Sequence, residues 1–283
     1  MIDLLTKLFV FKNSEDISEG LSDFQSDTQA VTLLSTDKMY IGFTKPIYSI
    51  YFYAKTPSTT PNTLTVKYWN NQQNSFQNVD VLSDGTKGLT TNGFIQWGIN
   101  QNALNNEFSD HLLNGKSLFW LELSLAANTS AMELQAVNIL FCDDKDLQRE
   151  FFPVLNADFR LGATDFTSIH ESVRDDIVQK IRNKGINKWS RKDVDSSDRL
   201  QWQRITAFDF LDIQEIRVAA CYFALSKIFY SVSDKPDDNW NIKAQHYNKL
   251  AEEMMNTVYI SLDLFNDGST AQRVNVDVMR MRR

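Results

Sequence analysis

Near residue 143 the spacing of apolar side chains changes from two to between three and four, and a chain with two periods does not fold as one uniform architecture. From about Asp23 to Cys142, segments of alternating pattern are separated by Gly, Pro, Asn and Ser clusters, which predicts short strands. The clearest runs from Ser117 to Leu125, where Phe119, Leu121, Leu123 and Leu125 face one way and Trp120, Glu122 and Ser124 the other, with one face expected to be buried. Tyr48 to Ala54, Leu64 to Trp69, Phe94 to Ile99 and Met132 to Phe141 read alike, broken by turns such as Pro57-Ser58-Thr59-Thr60-Pro61 and Ser83-Asp84-Gly85. Short strands at this spacing imply an antiparallel sandwich or barrel, and only Asn102 to Leu113 carries a helical pattern.

Beyond Asp143-Asp144-Lys145-Asp146 and Phe151-Phe152-Pro153 the pattern is helical. Ile169, Val173, Ile177 and Ile181 recur at four-residue steps, with Thr164-Asp165 to cap the start and Gly185 to stop the end. A second helix, about Ala207 to Val232, carries Leu211, Ile216, Ala219, Ala220, Phe223, Ile228 and Phe229 and is expected to be the most buried. Asp234-Lys235-Pro236-Asp237-Asp238 supplies a turn and acids for the positive end of the next helix, striped by Trp240, Ala244, Tyr247, Ala251, Met254 and Val258. These two helices should form an antiparallel hairpin. The expected fold class is therefore α+β in two domains: an N-terminal segment 1–22, an antiparallel β-sandwich 23–143, a helical domain 144–265 and an extended basic tail 266–283. In the tail Val274, Val276 and Val278 alternate with polar residues ahead of Arg280, Arg282 and Arg283. A solitary terminal strand must pair with this protein's own sheet or with a neighbour's.

Hydrophobic residues at 42% and charged residues at 23% of 283 fit a soluble globular protein, and no stretch reaches the roughly 18 apolar residues of a membrane helix. The opening segment, with acids at Asp3 and Glu15 and no small-residue cleavage site, is not read as a signal peptide. Cys142 and Cys221 lie in apolar runs and read as buried reduced thiols, which points to assembly in a cytoplasm. A net charge of −7 argues against gripping nucleic acid with the chain as a whole. His111, His170 and His246 have no partner at a ligand spacing, so neither a metal nor a cofactor is expected.

Catalytic motifs are absent: the chain contains no G-x-S-x-G, no G-x-x-x-x-G-K-[ST] and no G-x-G-x-x-G. Asp263-Leu-Phe-Asn266-Asp267-Gly268 has part of a calcium-loop pattern, but Phe265 occupies a ligand position, and a turn ending a helix is the better reading. The adjacent acids Asp175-Asp176 and Glu252-Glu253 diverge on a helix and suit a solvated face better than acid–base work. Tyr68, Trp69, Trp97 and Trp120 could build a sugar-stacking platform, against which stands packing in the core. Lys180, Arg182, Lys184, Lys188, Arg191 and Lys192, with Trp189 among them, gather positive charge that could dock an acidic partner or DNA phosphates, or simply solubilise a loop.

The helical half resembles the head-tail connector, or adaptor, proteins of tailed bacteriophages. The residues that carry this are Leu211-Asp-Ile-Gln-Glu-Ile-Arg-Val-Ala-Ala-Cys-Tyr-Phe-Ala-Leu-Ser-Lys-Ile-Phe, Lys243-Ala-Gln-His-Tyr-Asn-Lys-Leu-Ala-Glu-Glu and Ser261-Leu-Asp-Leu-Phe-Asn-Asp-Gly. In that family a buried helix ending in an aromatic pair precedes an acidic turn, a helix in which Lys-Ala precedes Tyr, and a short exit strand. The first half, with Tyr40-Ile-Gly before Pro46, Val66-Lys-Tyr-Trp-Asn, Gly93-Phe-Ile-Gln-Trp and Cys142-Asp-Asp, is similar to β-sandwich domains of phage structural proteins. The resemblance implies a structural virion protein and no enzyme: a dodecameric ring at the neck, beneath the portal, around the channel through which DNA passes without sequence-specific binding. It implies docking to the portal protein through Val274 to Arg283, contact with other neck or tail proteins, and no membrane. Acidic helices facing the channel would repel phosphates. The alternative is a glycan- or fibre-binding virion module carried by the sandwich, and exposed Trp69 and Trp120 in one flat patch would favour it.

Overall fold

The computed structural model describes residues 8–21, 30–98, 108–126, 132–156, 159, 165–184, 186 and 205–262, together with the backbone of 188–190, 201–203 and 272–275. The chain is α+β and divides into two compact units, residues 1–139 and 140–283. The division falls ahead of the expected 143/144 boundary, because the Phe141 ring packs on Phe210 at 4.6 Å and Cys142 meets His170 at 3.2 Å.

The first unit holds two antiparallel sheets. Its strands are β1 (Phe9–Lys12), β2 (Glu15–Asp16), β3 (Val31–Leu33), β4 (Lys38–Phe43), β5 (Ser49–Thr56), β6 (Leu64–Asn70), β7 (Ser75–Asn78), β8 (Val81–Asp84), β9 (Gly93–Gly98), β10 (Asp110–Leu113), β11 (Lys116–Leu125) and β12 (Met132–Asn138), with a short helix α1 (Ser18–Leu21). One sheet runs β2-β1-β4-β11-β6-β7, with β10 also on β11, and the other runs β3-β12-β5-β9-β8. Within the N-terminal segment set off before residue 23, Phe9–Lys12 is built into a sheet, Val10 pairing with Ile41. Asp110–Leu113 is a strand where a helical pattern was read, its residues paired with Lys116–Phe119.

On β11 the expected alternation holds, and both faces are buried where one was expected to be. Leu121 and Leu123 lie in register with Ile41 and Met39 and are buried with them, and Met39, Leu64, Leu123, Leu33 and Phe52, drawn from both sheets, line one narrow cleft. The opposite face is buried as well: Trp120 is 0% exposed in a cluster with Phe9, Phe11 and Leu118, flanked by Tyr40, Phe76 and Leu113. The Trp120 indole N–H donates to the His111 carbonyl at 2.9 Å, and its ring lies over Gly42, the residue paired with it on β4. Farther along that face, buried Glu122 is matched by Lys38 at 2.9 Å and Lys67 at 3.8 Å.

In the second unit the helices are α2 (Asp144–Glu150), α3 (Thr167–Asn183), α4 (Gln214–Ser231) and α5 (Asn239–Thr257), with 3-10 turns at Phe152–Leu155 and Ala207–Asp209. Two hairpins accompany them, β13 (Lys188–Ser190) with β14 (Gln201–Gln203) and β15 (Tyr259–Leu262) with β16 (Gln272–Asn275). As expected, α4 is the most buried helix, with Ile216, Ala220, Ala224, Leu225, Ile228 and Phe229 at 0% exposure, and α5 returns antiparallel to it. It starts later than read, because Leu211 gives its N–H to Ser261 in the exit strand and Phe210 bridges Leu262. On α5, Ala244, Ala251 and Met255 are buried, so the stripe continues through Met255 rather than Met254.

A Cβ at position 42 would lie 2.5 Å from the Trp120 ring, which the surrounding aromatic cluster holds in place. Gly42→Ala should therefore lower stability by roughly 2 kcal/mol in urea unfolding followed by tryptophan fluorescence. An unchanged midpoint would mean that Trp120 does not rest on Gly42.

Candidate functional site

The densest polar cluster among the described residues lies where α2 begins. Asp143 and Asp146 form a reciprocal capping box, each carboxylate accepting the other residue's backbone N–H at 3.1 Å. Arg217 of α4 donates from Nε to Asp146 at 2.7 Å and reaches Asp143 at 3.9 Å. Between them Asp144 turns to α3: its Oδ1 accepts the Phe166 N–H at 3.3 Å and lies 2.9 Å from His170 Nε2. Asp165 takes the next orphan donor of that helix, Thr167 N–H, at 3.0 Å. Thus the acid read as a cap does accept at the start of α3, with Asp144 from outside the helix as a second acceptor.

His170 also lies 3.2 Å from Cys142 Sγ through Nδ1, so thiol, imidazole and carboxylate stand in the order of a nucleophile, a base and its orienting acid. The environment sets a different task. Cys142 and His170 are each 1% exposed, and burial, with Cys221 and the two capping carboxylates nearby, pushes the Cys142 thiol well up. The protonated thiol faces Nδ1 and the Asp144 carboxylate faces Nε2, so both ring nitrogens have a polar partner. The chain runs from buried Cys142 and His170 to half-buried Asp144 and braces α2 against α3. Cys221, pushed up chiefly by burial and then by Asp146 and Glu150, is likewise a buried thiol. Sequence spacing did not disclose this constellation, since His170 is 26 residues from Asp144 and 28 from Cys142. The only signal was the acid run that opens the helical period.

A second cluster is aromatic. Phe229, near the end of α4, stacks on Trp240 at 5.7 Å and on Tyr247 at 5.6 Å, while Phe151 and Phe159 meet it edge-on at 5.1 and 5.8 Å. The Lys243 ammonium sits over Trp240, Phe151 and Phe229 at 4.6, 4.8 and 5.8 Å, a cation enclosed by three π faces.

The residues singled out for binding divide. Lys180 pairs with Glu252 and lies over the Phe223 ring, Arg182 donates to the Ile205 carbonyl at 2.6 Å, and Lys184 donates to Asn256 at 3.1 Å. Lys188 and Trp189 stand in β13, opposite Gln203 and Trp202, while Arg191 and Lys192 lie outside the described residues. In the tail, Val274 pairs with Ile260 in the β15–β16 hairpin, and Val276, Val278, Arg280, Arg282 and Arg283 lie outside the described residues. The strand that carries Val274 is therefore not solitary. Asp263-Leu-Phe-Asn266-Asp267-Gly268 also lies outside them. Among the described residues no group of three or more His, Cys, Asp or Glu is arranged to hold a metal ion.

Tyr68, Trp69, Trp97 and Trp120 are all buried, with Trp69 at 9% exposure and its ring stacked against His111 at 3.5 Å. They pack; they do not form an open platform. Asp175 and Asp176 bind different cations, Arg174 and Lys227, and Glu252 and Glu253 likewise bind Lys180 and Lys249. No protein-family model matches the chain, and no curated protein matches it.

Two outcomes check the site. In the native protein an aromatic disulfide reagent should leave both thiols unlabelled, and unfolding in urea should release two equivalents; rapid native labelling of Cys142 would show an open, reactive site. Burial, and after it the neighbouring Asp146, raises the Asp143 carboxyl above its ordinary value of 3.8. A group raised on folding contributes stability below 3.8 that is lost as pH rises through its folded value. Asp143→Asn, which retains a capping oxygen, should therefore be at least as stable as the parent at pH ~7, with any advantage shrinking as pH falls toward ~4. An advantage that grows on acidification would contradict this cause.

Proposed function

We propose that this chain is a structural virion protein of a tailed bacteriophage, assembling as a ring at the head-tail connector below the portal, around the DNA exit channel. The observation that carries the reading is where the resembling residues meet. The aromatic Phe229 that closes the buried helix, Trp240 and Tyr247 of the next helix, and the lysine of its Lys243-Ala244 pair pack into one cluster, and the exit strand Tyr259–Leu262 follows directly. Elements that are each common in sequence are thus joined in the family's order by mutual contact. In this reading the first unit is a β-sandwich, supported by residues of both sheets lining one cleft, and the second is an adaptor-like helical bundle.

The ring is a homo-oligomer held by heterologous contacts, assembled in the host cytoplasm, and it meets the portal on one side and a neck or tail protein on the other. DNA passes without base recognition, and no reaction is proposed. The basic residues beyond β16, Arg280, Arg282 and Arg283, with Val276 and Val278, serve as the portal-docking segment. The glycan- or fibre-binding alternative called for Trp69 and Trp120 exposed together, and their burial leaves it without that support.

Light scattering and electron microscopy of the purified protein, alone and mixed with its portal, test this directly: a ring, free or portal-bound, is expected, and a monomer indifferent to the portal would overturn it. A chain ending at Asn275 retains the β15–β16 pairing, whereas a cut near Ala271 also removes β16. The chain ending at Asn275 should fold as the parent does and lose portal binding; retained binding would remove the tail from the mechanism.

A further inference from the structure

Asparagine followed by glycine is the residue pair most open to spontaneous loss of ammonia, because the glycine has no side chain to shield its backbone nitrogen from the asparagine amide. The chain contains two such pairs, Asn92-Gly93 and Asn114-Gly115, and the fold treats them oppositely.

Asn92 is half-buried and its Oδ1 accepts the Ala54 N–H at 2.8 Å. Gly93 is buried where β9 begins and is paired with Phe52 of β5. Ring closure there requires the amide to release Ala54 and the backbone to turn at the start of a strand flanked by β5 and β8. Asn114 and Gly115 are both exposed and form the two-residue turn between β10 and β11, with φ of 51° and 77°, the left-handed pair of a type I′ hairpin. The Asn114 amide reaches the Asn13 carbonyl at 3.5 Å, a long and weak contact, and a Cβ at Gly115 would meet nothing within 4 Å.

Attack on the side-chain carbon needs Asn114 to rotate about ψ, out of the turn. At the hairpin tip that rotation parts the last ladder pair, half-buried Leu113 and Lys116, beside a Leu112 that is already 67% exposed. Local opening of this kind costs far less than opening a buried strand. Asn13 and Asn74 share the left-handed φ, but Ser14 and Ser75 follow them, and a serine Cβ crowds the attacking nitrogen.

We propose that Asn114 is a deamidation site of the folded chain. The Gly115 nitrogen gives its proton to solvent base and bonds to Asn114 Cγ; the Cγ–Nδ2 bond breaks and ammonia leaves, closing a succinimide. One water then adds to a ring carbonyl. Opening at Cγ returns an aspartate, and opening at the main-chain carbonyl leaves an isoaspartate with the backbone routed through Cβ and Cγ. Either product adds a negative charge and removes the donor to Asn13. The isoaspartate also lengthens a turn that fixes the register of Leu113 with Lys116, which loosens the hairpin whose His111 carbonyl holds the Trp120 indole. The site stands independently of the ring reading.

Ageing the folded protein in mildly alkaline buffer, with peptide mapping by mass spectrometry and isoaspartate detected by an isoaspartyl methyltransferase, tests this. In the folded protein Asn114 should convert at least about tenfold faster than Asn92, whereas in urea the two pairs should convert at similar rates. Asn114→Gln, which can cyclise only through a larger and slower ring, should keep the parent's circular dichroism and lose the acidic form. Equal conversion of the two pairs in the folded protein would refute the proposal. So would an Asn114 that stays intact through an incubation in which the unfolded chain converts.

Discussion

The second unit is organised by the need to enclose α4. A helix apolar on almost every side has to be covered by several neighbours, and apolar contact alone does not say in what register they lie. The polar residues of α4 supply that. Glu215 accepts the N–H and hydroxyl of Ser261 in the exit strand, Arg217 donates to Asp146 at the start of α2, and Lys227 reaches Ser172 and Asp176 of α3. Ser226 donates to the Ala244 carbonyl of α5, where Ala244 and Ala251 are fully buried. Four side chains on one helix thus address four elements, and a shift of α2, α5 or the exit strand leaves a buried or half-buried partner unsatisfied.

The first unit meets the same demand with strands. β11 is central to its sheet and buried on both faces, one by the aliphatic residues shared with the second sheet and the other by Phe9, Phe11 and Leu118 around Trp120. The second covering depends on a missing side chain, because only glycine at position 42 leaves room for the indole above β4. Aromatic packing on what would otherwise be a wet face also explains the buried Glu122: flanked by such rings it lies out of water, and the long stems of Lys38 and Lys67 bring cations to it while their heads stay near the surface.

These particulars show what a sequence read by period can disclose. The period of two located β5, β6, β9, β11 and β12, and the period near four located α3, α4 and α5, because alternation and helical spacing are local properties. Period says which side chains share a face and nothing about what covers it, so it marked one face of β11 as buried and left the covering of the Trp120 face unread. The start of α4 was read too early because Phe210 and Leu211 are apolar in helical phase, yet their backbones are committed to the exit strand, a partner some fifty residues away in sequence. The His170 constellation was invisible for the same reason: its members come from three places in the chain, and only folding gives them a spacing.

The acidity of the chain has to be apportioned before it can serve a functional argument. Asp143, Asp144, Asp146, Asp165 and Asp238 accept the N–H groups that open helices, Asp209 closes the box with Thr206 ahead of α4, and Glu215 and Glu122 are tied to buried partners. Those carboxylates are held by the fold, and their charge is largely met by donors and cations within it. A net charge of −7 is therefore no measure of what a passing polyanion would encounter. Repulsion of DNA along a channel would have to come from carboxylates on the helical surface, such as Asp175 and Asp176 on α3, Asp234 and Asp237 in the α4–α5 turn, and Glu252 and Glu253 on α5. The four helical carboxylates among these each meet a lysine or arginine, which moderates their field, whereas the turn sets Asp234 and Asp237 beside one lysine, Lys235.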